Sequence, residues 1–277
     1  MVIFIMKKRY ICILPYSLSY GGVFIDCKEV IANYWNFRSS TYKNGINGFD
    51  EEERAVWKQI FENSLASGKR LKVLDVGGTG TGFLALLFAE MGGHEVSGID
   101  LSEGMLEKAR HNADNMGLEI SLFHGDAENL PFEDCSFDLV VNKYLLWTLQ
   151  EPASAVREWK RVLKPGGMIF AIDGNWFDPP RPDRYIKRML YGLAERFAKK
   201  NQYNLIFKKS YGPIRNSLPL YEKISPKNIS FLFSETGLMN TEISPLLEVQ
   251  KFQRNRHSFS RRIFENNSIF LISGQKN

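Results

Sequence analysis

The residues of this chain whose types and spacing could do chemistry are four polar side chains, each at the end of a short apolar run. Asp75 follows Val73-Leu74, Asp100 follows residues 96–99, Asp126 comes just after residues 120–123, and Asn142 follows residues 137–141. Asp75 leads into V-G-G-T-G-T-G, and then into apolar residues at helical density. A strand, a glycine turn and a helix N-terminus in that order bring bare backbone close to a nucleotide-like ligand. Glycine suits such a loop because the chain turns sharply and a side chain would strike the ligand. The carboxylate of Asp100 can accept two ribose hydroxyls, and that of Asp126, in G-D-A, can accept an amino proton of an adenine. Asn142-Lys143-Tyr144 would stand at the mouth of the same site. Taken singly, each feature has a plainer reading as a tight turn or a helix cap. Together, each at a strand end, they define a cofactor site.

The surrounding pattern supplies the elements that must position these groups. Residues 50–65 read as a helix with Val56, Trp57, Ile60 and Phe61 on one face, capped by Asp50 and stopped by Gly68. Strands are expected at 71–76, 96–99, 120–123, 137–141 and 168–172, separated by helices at 82–91, after the cap Ser102, and from Pro152 to Leu163. Lys164-Pro165-Gly166-Gly167 reads as a turn into the fifth strand. This alternation implies an α/β fold, a parallel sheet with helices on both faces. Beyond Ile172 the rhythm breaks, with a helical run at 183–200 inside a long insertion. A helix at 226–236, a strand at 242–249 and a closing strand at 268–273 follow.

Two nucleotide-binding fingerprints fail on the glycine loop. In G-x-G-x-x-G the third glycine would fall on Phe83 or Ala85, and no lysine follows as a phosphate loop requires. An acid at the end of strand one suits a cationic ligand, and the amino group and sulfonium of S-adenosylmethionine are such a cation. V-L-D-V-G-G-T-G-T-G-F-L-A-L, G-I-D-L-S-E-G-M-L, G-D-A-E-N-L-P-F, F-D-L-V-V-N and R-V-L-K-P-G-G, in this order over about 71–174, resemble the motifs of class I S-adenosylmethionine-dependent methyltransferases. The resemblance is to the small-molecule, methyltransferase-11-like branch. Y-W-N-F-R-S-S-T-Y, ending at Tyr42, is similar to the N-terminal lid segment of that branch.

The resemblance implies a Rossmann-like, mostly parallel seven-stranded sheet with an antiparallel last strand and an inserted helical lid. It divides the chain into an extension (1–25, expected to be poorly ordered), a helical lid segment (26–70), the cofactor-binding core (71–174), an acceptor-site insertion (175–225) and C-terminal elements completing the sheet (226–277). It also implies that Asp75 and the loop Gly77, Gly78, Thr79 and Gly80 face the methionine moiety, and that Asp100 faces the ribose. Leu101 and Met105 would flank the adenine, Asp126 and Ala127 would read its amino edge, the backbone of Asn142 would close the methionine side, and Tyr42 would cover it. Three departures stand out: one extra residue between Asp75 and Gly82, another at Gly92-Gly93, and Lys143-Tyr144 where the branch often has Arg-His.

The expected activity is therefore methyl transfer from S-adenosylmethionine to a small-molecule acceptor by in-line displacement, in which proximity and alignment supply most of the acceleration. No catalytic residue is assigned; Tyr144 and Asp173 are the weak candidates, and no metal site is visible. Trp147 and Trp176 read as core before they read as an acceptor wall. The 277 residues can bury a full core, and the net charge of +5 points only weakly to acidic partners. Three cysteines without metal-ligand spacing suit a cytoplasmic protein, and no apolar run is long enough to span a membrane. Neither nucleic acid nor membrane is expected as a partner, and the oligomeric state is open. Two alternatives remain: an RNA or protein methyltransferase using the basic segment with Arg254, Arg256, Arg261 and Arg262, or a cofactor-binding protein without methyl transfer.

Overall fold

The computed structural model describes residues 26–42, 51–65, 68–77, 80–174, 201–256 and 268–277. The extension 1–25, Asp50, Gly78, Thr79, Trp176, the helical run at 183–200, Arg261 and Arg262 lie outside the described residues. Helices α1 (Cys27–Arg38) and α2 (Glu51–Ser64) precede the sheet. Strand β1 (Lys72–Val76), helix α3 (Phe83–Glu90), β2 (Glu95–Asp100), α4 (Glu103–Met116), β3 (Ser121–His124), β4 (Phe137–Lys143), α5 (Pro152–Val162) and β5 (Leu163–Gly174) follow in strict alternation, apart from the direct step from β3 to β4. Beyond them come α6 (Asn201–Ile214), α7 (Pro226–Glu235), β6 (Met239–Pro245), α8 (Leu247–Arg256) and β7 (Ile269–Gln275). The sheet order is β3-β2-β1-β4-β5-β7-β6. β1 to β5 are parallel, and β7 runs antiparallel to both β5 and β6.

Successive side chains of a strand point to opposite faces, so the central strands feed two cores. Val73, Leu139, Val141 and Phe170 pack with Trp57 and Phe61 of α2 and the almost wholly buried α3. Leu74, Val140, Ile169 and Ala171 pack on the other face with Val156 and Trp159 of α5. Burial on both faces explains why these strands read as continuous apolar runs. Local signals set the helix ends. Asp26 caps α1 by accepting from Lys28 N and Glu29 N, Ser102 caps α4 by accepting from Met105 N, and Gly117 ends α4 at φ 63°.

The structure corrects three details of the sequence reading. The strand expected at 242–249 ends at Pro245, and the residues from Leu247 onward form α8. Leu246 and Val249 are spaced for one helical face and are buried against the sheet, so burial rather than alternation decides their conformation. The turn at 164–167 is an excursion within one long strand. Phe137 pairs with Leu163 and Leu139 with Met168, so the residues between bulge out of the ladder. The described part of the insertion holds α6, a helix absent from the sequence reading. Among the described residues no helix is long and apolar enough to cross a membrane.

Candidate functional site

The C-terminal ends of β1 to β4 open onto one pocket of about 820 Å³, its mouth included. Gly77 and Gly80 form one wall, Asp100, Leu101 and Met105 a second, and Asp126 with Ala127 a third. Lys143 and Tyr144 close the end beyond β4, and α1 with Tyr42 roofs the space. Of the residues singled out from sequence, Tyr42, Gly77, Gly80, Asp100, Leu101, Met105, Asp126, Ala127 and Tyr144 thus surround one cavity. Asp75, Asn142 and Asp173 stand outside its lining, fully buried. Gly78 and Thr79 lie outside the described residues.

Each wall follows from local chemistry. Gly77 sits at φ 56°, and a Cβ there would lie 2.5 Å from Leu145 Cδ1, so any other residue would be strained and would push the Leu145 side chain aside. A Cβ on Gly80 would come 3.0 Å from Tyr42 Cε1, which shows how closely the roof sits on the loop. Asp100 Oδ1 accepts from Ser102 N at 2.9 Å, which orients the carboxylate without closing it off from the pocket. Asp126 Oδ1 accepts from Glu128 N at 2.9 Å.

The roof is tied down on both sides. Asn36 Oδ1 of α1 accepts from Ser102 Oγ at 2.7 Å and Gly104 N at 2.9 Å. Lys28 Nζ, one helix end away, pairs with Asp126 and with Glu128 at 2.8 Å. Trp35, between them, donates from Nε1 to Tyr211 Oη of α6 at 3.0 Å. Lys28 and Asn36 escaped the sequence reading. Their partners are far away in sequence, and no local pattern marks a helix that crosses two strand ends.

Behind the glycine wall lies a buried charged cluster. Asp75 Oδ2 accepts from Ala85 N at 3.2 Å, tying the first turn of α3 to β1, while its Oδ1 is buried without a hydrogen-bond partner. Burial pushes Asp75 up to about 7. The Ala85 amide and Lys143 oppose that rise, and the charge of Asp100 adds to it. Burial likewise lowers Lys143 to about 8, against the pull of Glu53 and Asp75. The Lys143 ammonium lies 4.4 Å from the Phe83 ring centroid, 4.8 Å from that of Tyr144 and 5.1 Å from that of Trp57. Tyr144 holds a left-handed backbone (φ 63°) fixed by its N–H donating to Ile172 O at 2.8 Å. That conformation is uncommon for a residue with a bulky side chain. Its phenol is raised well above the ordinary range by burial. Asp173 Oδ1 accepts from Gly174 N at 2.9 Å. Trp147 packs on Tyr211 at 5.2 Å and Tyr221 at 5.9 Å, within an aromatic cluster away from the pocket lining.

The donor set fits S-adenosylmethionine: glycine backbone from the β1 loop and carboxylates at two successive strand ends line one cavity. A mostly parallel sheet with such a pocket across its strand ends defines a Rossmann-like nucleotide-cofactor enzyme. Residues 74–171 match the family model described as a methyltransferase domain. The demethylmenaquinone methyltransferase of Staphylococcus aureus is 31% identical over 225 residues, covering 78% of this chain and 88% of that protein. Two solved structures share the fold. A methyltransferase of Aquifex aeolicus superposes with a TM-score of 0.54 at 15% identity, covering 92% of this chain and 100% of that one. The phosphoethanolamine N-methyltransferase 2 of Haemonchus contortus, bound to S-adenosylhomocysteine, superposes with a TM-score of 0.60 at 15% identity, covering 91% of this chain and 60% of that one. The chain belongs to the class I S-adenosylmethionine-dependent methyltransferases. It is an enzyme of the small-molecule branch, and its cofactor is S-adenosylmethionine.

Proposed function

We propose that methyl transfer takes place in the pocket beneath α1, with the acceptor entering beside Tyr144. The observation that carries this reading is that Gly77, Asp100 and Asp126, from three strand ends, line the same cavity. In this reading Gly77 and Gly80, with Gly78 and Thr79 of the same loop, hold the methionine moiety. Asp100 accepts the ribose hydroxyls, Leu101 and Met105 flank the adenine, and Asp126 with the backbone of Ala127 reads its amino edge. The Asn142 backbone closes the methionine end, Tyr42 covers it, and Asp75 holds the loop through Ala85. When bound, the cofactor supplies a methyl group on a sulfonium, a good leaving group that needs no metal. The chain's own work is then alignment and exclusion of water by the tethered roof. Tyr144, protonated at neutral pH, can donate a hydrogen bond to an acceptor oxygen or nitrogen but is no base.

The acceptor to test first is demethylmenaquinone, the substrate that the name of the Staphylococcus aureus relative gives. The odd number of cysteines favours a cytoplasmic enzyme. Calorimetric titration with S-adenosylmethionine tests the site. Absence of binding at about 1 mM, the weak end of useful affinity, would sink it. Asp100→Ala is expected to weaken binding by about 1–3 kcal/mol, the range for a lost hydrogen-bonding carboxylate. Unchanged affinity would remove Asp100 from the ribose.

A further inference from the structure

Lys143 is a buried cation in the wall of the cofactor pocket, and the function described so far gives it no task. Strand β4 delivers it at its C-terminal end, and it is 4% exposed. Removing an ammonium from water costs several kcal/mol unless its surroundings answer the charge. Here the rings of Phe83, Tyr144 and Trp57, at 4.4, 4.8 and 5.1 Å, hold the ammonium at one place. Three rings from α2, α3 and the end of β4 converge on it, so its position is set by the fold and not by rotamer freedom. Glu53 and Asp75, the acids that face it from α2 and β1, help to keep it charged. A cation so fixed, and lining the pocket as well, is placed to meet an anion that enters there.

The pocket itself narrows what that anion is. Lys143 ends β4, the strand paired with β1 (Asp75 opposite Val141), so it neighbours the chain that leaves β1 toward Gly77, while Asp100 and Asp126 line the pocket from the ends of β2 and β3. Asp75, with its buried and unsatisfied Oδ1, lies behind the glycine wall. That end therefore offers a fixed cation on one side and an acid close behind the other, the charge pattern of a zwitterionic amino acid read in reverse. We propose that Lys143 binds the α-carboxylate at the amino-acid end of the cofactor by a charge-assisted hydrogen bond. This rests on the placement of the methionine moiety at Gly77 given above. The rival occupant of the same ammonium is an anionic group on the methyl acceptor.

Calorimetry on the full chain with two ligands tests this: S-adenosylhomocysteine and its decarboxylated counterpart, which lacks only the carboxylate. The wild type is expected to bind S-adenosylhomocysteine at least about tenfold more tightly, the scale of one charge-assisted hydrogen bond. In Lys143→Met that preference disappears, with affinity lost for S-adenosylhomocysteine and unchanged for the decarboxylated ligand. Equal losses for both ligands would make Lys143 a structural residue. Unchanged affinity for both would leave its charge to the acceptor. Either result overturns the proposal. Should Lys143→Met fail to fold, Lys143→Gln, which keeps a polar head without the charge, is read in the same way, and equal binding of the two ligands by the wild type is in any case a refutation. Lys143→Arg, which keeps the charge, is expected to retain a preference for the carboxylate. If neither ligand binds the wild type, the placement of the cofactor fails along with the proposal, a result that the other outcomes do not resemble.

Discussion

Replacing Asp75 by asparagine tests the buried acid on which the glycine loop rests. In the folded chain Asp75 is raised from 3.8 to about 7, chiefly because burial disfavours its charge. The folded state therefore holds a proton there that the unfolded state releases near its ordinary value. As pH rises between these two values the unfolded form gains, and folding stability falls by about 1.4 kcal/mol per pH unit. Between about pH 5 and pH 7 this amounts to roughly 3 kcal/mol, or about 6–12 °C in melting temperature for a chain of this size. The asparagine side chain would keep an oxygen for the Ala85 amide and would have no proton to lose. The assay is thermal unfolding of the ligand-free protein across that window, comparing the slope of Asp75→Asn with that of the wild type. The comparison cancels other groups that titrate there, such as His94, whose pKa is lowered by burial. Lys143, lowered to about 8, stays charged throughout the window. Parallel slopes would show that Asp75 is ionised in the folded chain at pH 5, and the reasoning from its burial would be wrong.

Three further perturbations follow from the packing. Phe61, fully buried between Phe88 at 4.8 Å and Phe170 at 6.0 Å, should cost about 3–5 kcal/mol as Phe61→Ala in denaturant unfolding; a loss below about 1 kcal/mol would mean that this face is not close-packed. Gly77→Ala places a Cβ against Leu145 at a positive φ and should cost at least about 1–2 kcal/mol of stability. The double variant with Leu145→Ala should recover the steric part alone, and a fully additive loss would refute the clash. Lys28→Met removes partly exposed ion pairs to Asp126 and Glu128, so stability should change by less than about 1 kcal/mol. The roof loses one tether, and cofactor dissociation, followed by tryptophan fluorescence in stopped flow, should speed up several-fold; an unchanged rate would show that the Lys28 pairs do not help to hold α1 over the pocket.

Much of this molecule is legible along the chain because its signals are local. Periodicity and caps mark the helix from the cap Ser102 to Gly117, and glycines after an acid-ended apolar run mark the loop from β1 into α3. Strand alternation with helices defines the parallel core, since a buried parallel strand has no polar face to obscure it. Where the signal is short and apolar, as at Leu246 and Val249, strand and helix look alike, and only the neighbouring sheet and α2 select the helix.

By itself, the sequence determined the class of ligand: carboxylates and glycines at successive strand ends are tied to the ladder by register, and register follows from apolar patterning. Only the tertiary structure decided what ties the roof down and what charge stands in the pocket wall. Lys28 and Asn36 reach their partners across the pocket from a helix far away in sequence, and Lys143 is boxed by rings from three separate elements. Such contacts depend on how elements dock, a matter of summed burial over both sheet faces that no stretch of sequence carries alone.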